Sequence, residues 1–327
     1  MSVIAVDAFG GDFAPEQIVE GALRAGAEGI KVALTGDEKR LKSLVGGKTG
    51  SENIEIVHAP EVILMEEAPV EAVRTKKDSS LVAAARLVKN KKAGALVSAG
   101  STGATMAAAL FVIRRIKGVA RPAITSLMPT LKGVSLIVDV GANVDCRPNQ
   151  LVQFAQMGSI YAKEVLKVPN PRVGLLNVGH EPGKGNRLTQ EVYPLLQETS
   201  LNFVGNIEGR EISRGDIDVI ICDGFVGNIV LKFAEGLSEA LFGMLKEEFT
   251  SGVISTLAAL MLKPGLSRIK KRVDYTEYGG APLLGVNGVV IIAHGGSNAK
   301  AIYNAIRVAE DAVNHRIVES IGRIAAD

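Results

Sequence analysis

The feature that most constrains this chain is the alternation, from one end to the other, of short β-branched apolar runs with helical stretches. Val3–Val6, Lys31–Thr35, Ile54–Val57, Ala95–Ser98, Val134–Asp139, Arg172–Asn177, Phe203–Gly205, Val219–Cys222 and Val289–Ile292 read as strands. Several are apolar on both faces, which suits strands covered by helices above and below. Between them, Pro15–Ala27, Ser80–Asn90, Thr102–Ile116, Asn149–Leu166 and Thr189–Thr199 read as helices. Pro15 suits a first helical turn, and Ser79 or Ser80 can cap the helix that follows. This rhythm predicts an α/β fold, three-layer α/β/α with a mainly parallel sheet. No repeat, low-complexity linker or boundary interrupts it, so 1–327 reads as a single domain. The stretch at about 229–272 outlasts an ordinary crossover and is expected to project as a helical pair.

Bulk properties narrow the function. With 47% hydrophobic residues in 327, the chain can bury a large core. A net charge of +2, 4% aromatics and no Trp leave little basis for a nucleic-acid partner. Cys146 and Cys222 stand far apart and read as small buried hydrophobes or site-wall residues of a reducing compartment. The opening MSVIAVDAFGGD reads as a first strand rather than a leader, and no apolar run approaches the roughly 20 residues of a membrane span. The expectation is a cytoplasmic protein.

Many strands end in Gly-rich turns with a polar residue: Asp7–Asp12, Ser98–Gly103, Asp139–Asn143, Asn177–Gly179, Asp223–Asn228 and His294–Asn298. In a parallel sheet the carboxyl ends of the strands share one edge, so six such turns are expected to line one cleft. Any one of them reads equally as a tight βα turn; six together point to a ligand. Turns of this kind favour anions, through free N–H groups and the helix dipole. The stretch from Gly179 to Lys184 is not a P-loop: only three residues separate its glycines, and Gly185 stands where Ser or Thr is needed. No G-x-G-x-x-G follows the first strand, so a standard dinucleotide site is unsupported. His58, His180, His294 and His315 lack metal-ligand spacing. His294, between a strand and a Gly-Gly turn, reads either as a site residue or as packing. There is no G-x-S-x-G elbow either. An anion site without a nucleophilic side chain suggests that the anion itself attacks. Phosphate needs only placement against a carbonyl, with stabilisation of the oxyanion that forms. Lys184, Arg74, Lys76 and Arg187 are the candidate cations. Lys184 stands out between two glycines beside Asn186, whereas Lys76 reads as a solvated charge.

Specific blocks carry a resemblance: AVDAFGGD from Ala5, AVRTKKDSSL from Ala72, SAGSTGATMAAALFVIRRIKG from Ser98, VDVGANVDCRPNQLVQFAQMG from Val138, RVGLLNVGHEPGKGN from Arg172, ICDGFVGNIVLK from Ile221 and YGGAPLLGVNG from Tyr278. From Ala5 to about Arg307 the chain closely resembles the bacterial phosphate acyltransferases, acyl-acyl-carrier-protein:phosphate acyltransferases of phospholipid synthesis. The resemblance implies a fold like that of phosphotransacetylases and the isocitrate/isopropylmalate dehydrogenases. It also implies a homodimer, an acyl carrier protein substrate, inorganic phosphate as acceptor and no cofactor. The product would be an acyl phosphate for glycerol-3-phosphate acylation, passed to a membrane glycerol-3-phosphate acyltransferase. The candidate catalytic residues are Lys184, Asn228, His294 and Asp223. The candidate substrate-binding residues are Asp7, Gly10, Gly11, Arg74, Ser101, Thr102, Gly103, Asn143, Asn186 and Gly227. Ser101 stands where the family turn more often carries Asn, and Gly296 where it often carries Ser, which puts direct ligand roles for these two in question. Three rival readings share the cleft: a phosphotransacetylase acting on a short acyl-CoA, a nicotinamide-dependent decarboxylating dehydrogenase, and a binding protein without activity. The dehydrogenase needs clustered Asp residues for a metal, which the sequence lacks.

Two surfaces complete the reading. An acidic carrier protein calls for a basic face. Arg114, Arg115, Lys117 and Arg121 form one candidate; Lys263, Arg268, Lys270, Lys271 and Arg272 form another. Either reads equally as a solvated face. Leu237, Leu241, Met244 and Leu245 share a helical face. The uncharged stretch Thr250–Leu262 follows, and Pro264-Gly265 is expected to end the helix. This segment is too short to span a bilayer but can lie in its interface, or pair across a dimer, or do both.

Overall fold

The computed structural model describes residues 2–273 and 275–324. The strands are β1 (Ile4–Asp7), β2 (Val32–Gly36), β3 (Ile54–His58), β4 (Ala95–Ser98), β5 (Ala123–Thr130), β6 (Gly133–Val138), β7 (Arg172–Asn177), β8 (Asn202–Glu208), β9 (Val219–Ile221), β10 (Ala281–Leu284) and β11 (Val289–Ile292). The helices are α1 (Glu16–Ala27), α2 (Glu38–Val45), α3 (Pro69–Thr75), α4 (Ser80–Lys89), α5 (Thr102–Ala108), α6 (Pro148–Glu164), α7 (Arg187–Gln197), α8 (Gly224–Thr250), α9 (Val253–Val273), α10 (Ala299–Asn314) and α11 (Ile317–Ile324).

One 11-stranded sheet runs β3-β2-β1-β4-β11-β10-β5-β6-β9-β7-β8. Side chains alternate between its faces, and both faces are buried. Ile4, Val6, Val97, Ile291, Leu136 and Val219 pack into one apolar layer with residues of α1, α6 and α10. Ala5, Leu96, Val290, Ile292, Ile137 and Ile220 pack into the other, with residues of α4 and α5. The expected three-layer α/β/α architecture is therefore observed, with a mainly parallel sheet.

The strand directions correct one expectation. β3, β2, β1, β4 and β11 form one parallel block. β6, β9, β7 and β8 form another. Between them, β11–β10, β10–β5 and β5–β6 are all antiparallel. Three reversals leave the two blocks running in opposite directions. The six Gly-rich turns therefore do not share one edge; they fall into two groups of three, at opposite ends of the strands. The cause lies in β5 and β10, neither of which the apolar pattern had marked as a strand.

α8 is anchored by its first turns, where Val226, Val230, Leu231 and Ala234 pack on the sheet. Beyond them Leu237, Leu241, Met244 and Leu245 are exposed, as are Val253, Ile254, Leu257, Leu260, Met261 and Leu262 on α9. Pro264 does not end its helix; α9 runs through it to Val273. The ring removes a hydrogen bond to a carbonyl one turn back, and in an exposed helix water can take that place. Arg272 ties the returning chain to the carbonyls of Thr130 and Leu131, both at 3.2 Å. The side chain of Lys270 lies outside the described residues. Among the described residues no helix is long and apolar enough to cross a membrane.

Candidate active site

The first group of turns follows β1, β4 and β11, adjacent strands of one block. Asp7 ends β1 and is buried; its Oδ2 accepts from Ser98 Oγ at 2.8 Å, and Ser98 Oγ in turn accepts from Gly100 N at 3.1 Å. Burial pushes the Asp7 carboxyl above its ordinary value, while the Ser80 and Ser98 hydroxyls pull the other way. Asp7 thus ties two turns together from inside rather than facing a ligand. Gly10 is pressed against the Asp7 carboxylate and the Gly100 N–H, so a Cβ there has no room. Gly11 has φ +109°, and a Cβ on it would meet Ala99 and the Gly295 carbonyl, each at 3.1 Å. Asp12 N donates to Gly295 O at 2.9 Å and closes the third side. Three turns so meet backbone to backbone.

Side chains decorate this cradle at its rim. His294 is exposed, and its Nδ1 accepts from Gly296 N at 3.1 Å, which puts the proton of the neutral ring on Nε2. Asp12 lies near the same glycine: a Cβ at Gly296 would stand 3.5 Å from His294 Nδ1 and 3.9 Å from Asp12 Oδ2. Ser101 caps α5 through Ala104 N at 3.4 Å, and Thr102 is exposed beside it. Gly103 packs under Pro69 of α3, at 2.7 Å from a built Cβ. Arg74, on α3, is exposed and lies over the Phe111 ring at 5.0 Å. Asp12 is the residue that sequence reasoning missed. Its signal was present in the AVDAFGGD block, but a lone carboxylate after two glycines reads as turn chemistry until its neighbour across the sheet is known.

The second group follows β6, β7 and β9. Asp139 is buried and raised in the same way as Asp7, with the Asn143 amide opposing. Its Oδ1 accepts from Ile124 N at 2.9 Å and Ala142 N at 3.1 Å; its Oδ2 accepts from Asn143 N at 2.7 Å. Asn143 spends its amide on Asp139 and on the Pro122 carbonyl, at 2.9 and 2.8 Å. Asp223 caps α8 through Val226 N at 2.9 Å, and Gly227 is packed on the Asp139 carbonyl. Asn228 is exposed beside Gly141. In the loop before α7, Asn186 is the helix cap, accepting from Thr189 N at 3.0 Å. Lys184 is exposed and, among the described residues, forms no ion pair. Lys76 and Arg187 are occupied, by Glu67 and Glu191, both at 2.6 Å.

The structure thus brings Asp7, Gly10, Gly11, Arg74, Ser101, Thr102, Gly103 and His294 to one group, and Asn143, Lys184, Asn186, Asp223, Gly227 and Asn228 to the other. Among the described residues no hydrogen bond or ion pair joins the two. The thiols are poor nucleophiles where they stand. Burial pushes Cys146 up to about 12 and Cys222 well above the ordinary range, with Asp139 and Asp223 adding to both.

A sheet of two opposed parallel blocks, with Gly-rich turns at the strand ends, is a fold shared with solved proteins of low sequence identity. The chain superimposes on a phosphotransacetylase from Streptococcus pyogenes with a TM-score of 0.66 at 19% identity, covering 96% of this chain and 94% of that one. It also superimposes on 4-hydroxythreonine-4-phosphate dehydrogenase from Klebsiella pneumoniae, with a TM-score of 0.57 at 12% identity over 95% and 98% of the chains. Residues 2–320 match the family model described as fatty acid synthesis protein. A phosphate acyltransferase of Desulfitobacterium hafniense (strain DSM 10664 / DCB-2) is 56% identical over 97% of this chain and 96% of its own. That of Pelotomaculum thermopropionicum is 54% identical over 97% and 93%. The chain belongs to this family of phosphate acyltransferases, and it is a transferase of fatty acid and lipid synthesis.

Proposed function

We propose that the enzyme moves a fatty acyl group from the thioester of acyl carrier protein to inorganic phosphate. The acyl phosphate formed then serves glycerol-3-phosphate acylation. A phosphate oxygen attacks the thioester carbonyl carbon, the tetrahedral oxyanion collapses, the C–S bond breaks and the carrier thiolate leaves and takes a proton. The observation that carries this reading is the three-turn cradle, where Ser98, Ser101 and Ser297 are committed or buried and Thr102 stands exposed at the rim. Ser98 serves Asp7, Ser101 caps α5, Ser297 is buried and the cysteines lie at the opposite strand ends. A cluster of Gly-rich turns at adjacent strand ends suits an anion that attacks directly. His294, with its proton on Nε2, is placed to assist the oxyanion or the leaving thiolate, and Asp12 to orient the ring's turn.

Lys184, with Asn228 beside the same end of the sheet, is kept as the candidate phosphate cation. It can serve this reaction only where the two groups face one cleft, within one chain or across a second copy. A homodimer is part of the proposal: the exposed apolar faces of α8 and α9 suit pairing, and the tip of the pair suits a membrane surface. Membrane attachment would bring the unstable product to a membrane glycerol-3-phosphate acyltransferase. Incubation with palmitoyl carrier protein and phosphate tests the reading. Palmitoyl phosphate is expected; turnover only with a short acyl-CoA would favour the phosphotransacetylase alternative.

A further inference from the structure

Five large apolar side chains stand half-exposed around the rim of the three-turn cradle. They come from three separate segments: Phe13 after β1, Leu64, Met65 and Val70 in and before α3, and Phe111 in the π-type turn that continues α5. Singly, an exposed apolar residue needs no explanation. These are held in place. Glu67 binds the loop before α3 from inside, accepting from Lys76 Nζ at 2.6 Å and from Leu64 N at 2.7 Å, and Lys76 Nζ also donates to Val62 O at 2.8 Å. With its polar groups so tied, the loop presents Leu64 and Met65 outward, 50% and 45% exposed. Met65 rests on the cradle itself: a Cβ at Gly295 would meet its Cε at 3.1 Å. Val70 follows one residue after Pro69, which packs on Gly103. One helical turn further, Arg74 lies over Phe111. A strip thus starts at the cradle and runs outward along α3 to Phe111.

We propose that Met65, Val70 and Phe111 form the strip on which the alkyl chain of the acyl group lies, and that they set chain-length preference. This rests on the acyl-transfer reading above. A chain attached to a carbonyl held at Gly295 and Gly103 must leave the cradle, and this strip begins there, where Met65 meets Gly295. Each methylene that the strip covers strengthens binding by roughly fourfold. Affinity therefore rises with chain length until the chain passes Phe111.

The test uses octyl and hexadecyl phosphonates, unreactive mimics of acyl phosphates, titrated calorimetrically into wild-type protein and two variants, Met65→Ser with Val70→Ser, and Phe111→Ser. The wild type is expected to bind the hexadecyl compound at least about 100-fold more tightly, a few covered methylenes being sufficient. Both variants are expected to lose at least tenfold of that preference, whereas Val204→Ser, an exposed apolar residue on β8 at the far edge of the sheet, keeps it. Initial rates with octanoyl and palmitoyl carrier protein follow the same ratio. Equal losses for both chain lengths, or no chain-length preference in the wild type, would overturn the strip. Chain-length-dependent binding without acyl phosphate formation would refute the transfer reading and leave the strip standing.

Discussion

The Ser98–Asp7 pair holds the cradle together, and removing the Ser98 hydroxyl shows what it is worth. Ser98→Ala deletes a 2.8 Å bond to a buried carboxylate and strands the Gly100 N–H, which loses its 3.1 Å acceptor. A buried partner left unsatisfied costs 1–3 kcal/mol and more beside a charge, so the variant should lose about 2–4 kcal/mol. The loss depends on pH. Burial already raises Asp7 above 3.8, so the folded state holds that proton more readily than the unfolded chain. Such a group contributes stability that is present below the unfolded value and is lost as pH rises through the folded one. Without Ser98 the carboxyl rises further, so the penalty is least in acid and greatest at neutral pH and above. Urea unfolding at pH 5 and pH 8, followed by circular dichroism, measures both. A destabilisation below about 0.5 kcal/mol at both values, the range of ordinary surface changes, would show that the pair does not hold the turns.

Three further outcomes follow from the same geometry. His294→Ala should lower kcat by about 100-fold or more, the usual worth of a positioned proton donor, with little change in urea midpoint because the ring is exposed; an unchanged kcat removes it from the chemistry. Lys184→Ala should weaken phosphate use by about tenfold, a charged contact's worth, and an unchanged phosphate KM would confine the reaction to the first group of turns. Leu257→Glu with Leu260→Glu, both 59% exposed on α9, should abolish binding to anionic vesicles and leave dimerisation intact; a monomeric or insoluble product would make this tip packing surface.

Much of the fold was legible because buried parallel strands read as continuous apolar runs: Ala95–Ser98, Arg172–Asn177 and Val289–Ile292 fall where the pattern puts them. β5 and β10 escaped it. β5 reads AITSLMPT, with Pro129 and three hydroxyl residues, and β10 is four residues after two glycines. Their pairing is non-local, so nothing in either run signals that together they reverse the sheet. That reversal splits the six turns, and it is why Gly103 and Lys184 stand in different groups. The site residues show a second limit. Asp7, Asn143, Asn186 and Asp223 have the residue types of ligand contacts, yet each commits at least one side-chain polar atom to the backbone or a neighbouring side chain. Turn-forming and ligand-binding uses of Asp and Asn look alike until the partners are located.

The central claim, that phosphate attacks the thioester directly, is tested by the initial-rate pattern with palmitoyl carrier protein and phosphate varied together. Attack by bound phosphate needs both substrates on the enzyme at once, so double-reciprocal lines should intersect, and the protein mixed with the acyl donor alone should keep its mass. Parallel lines, with a protein heavier by one palmitoyl group before phosphate is added, would reveal an acyl-enzyme and contradict the account.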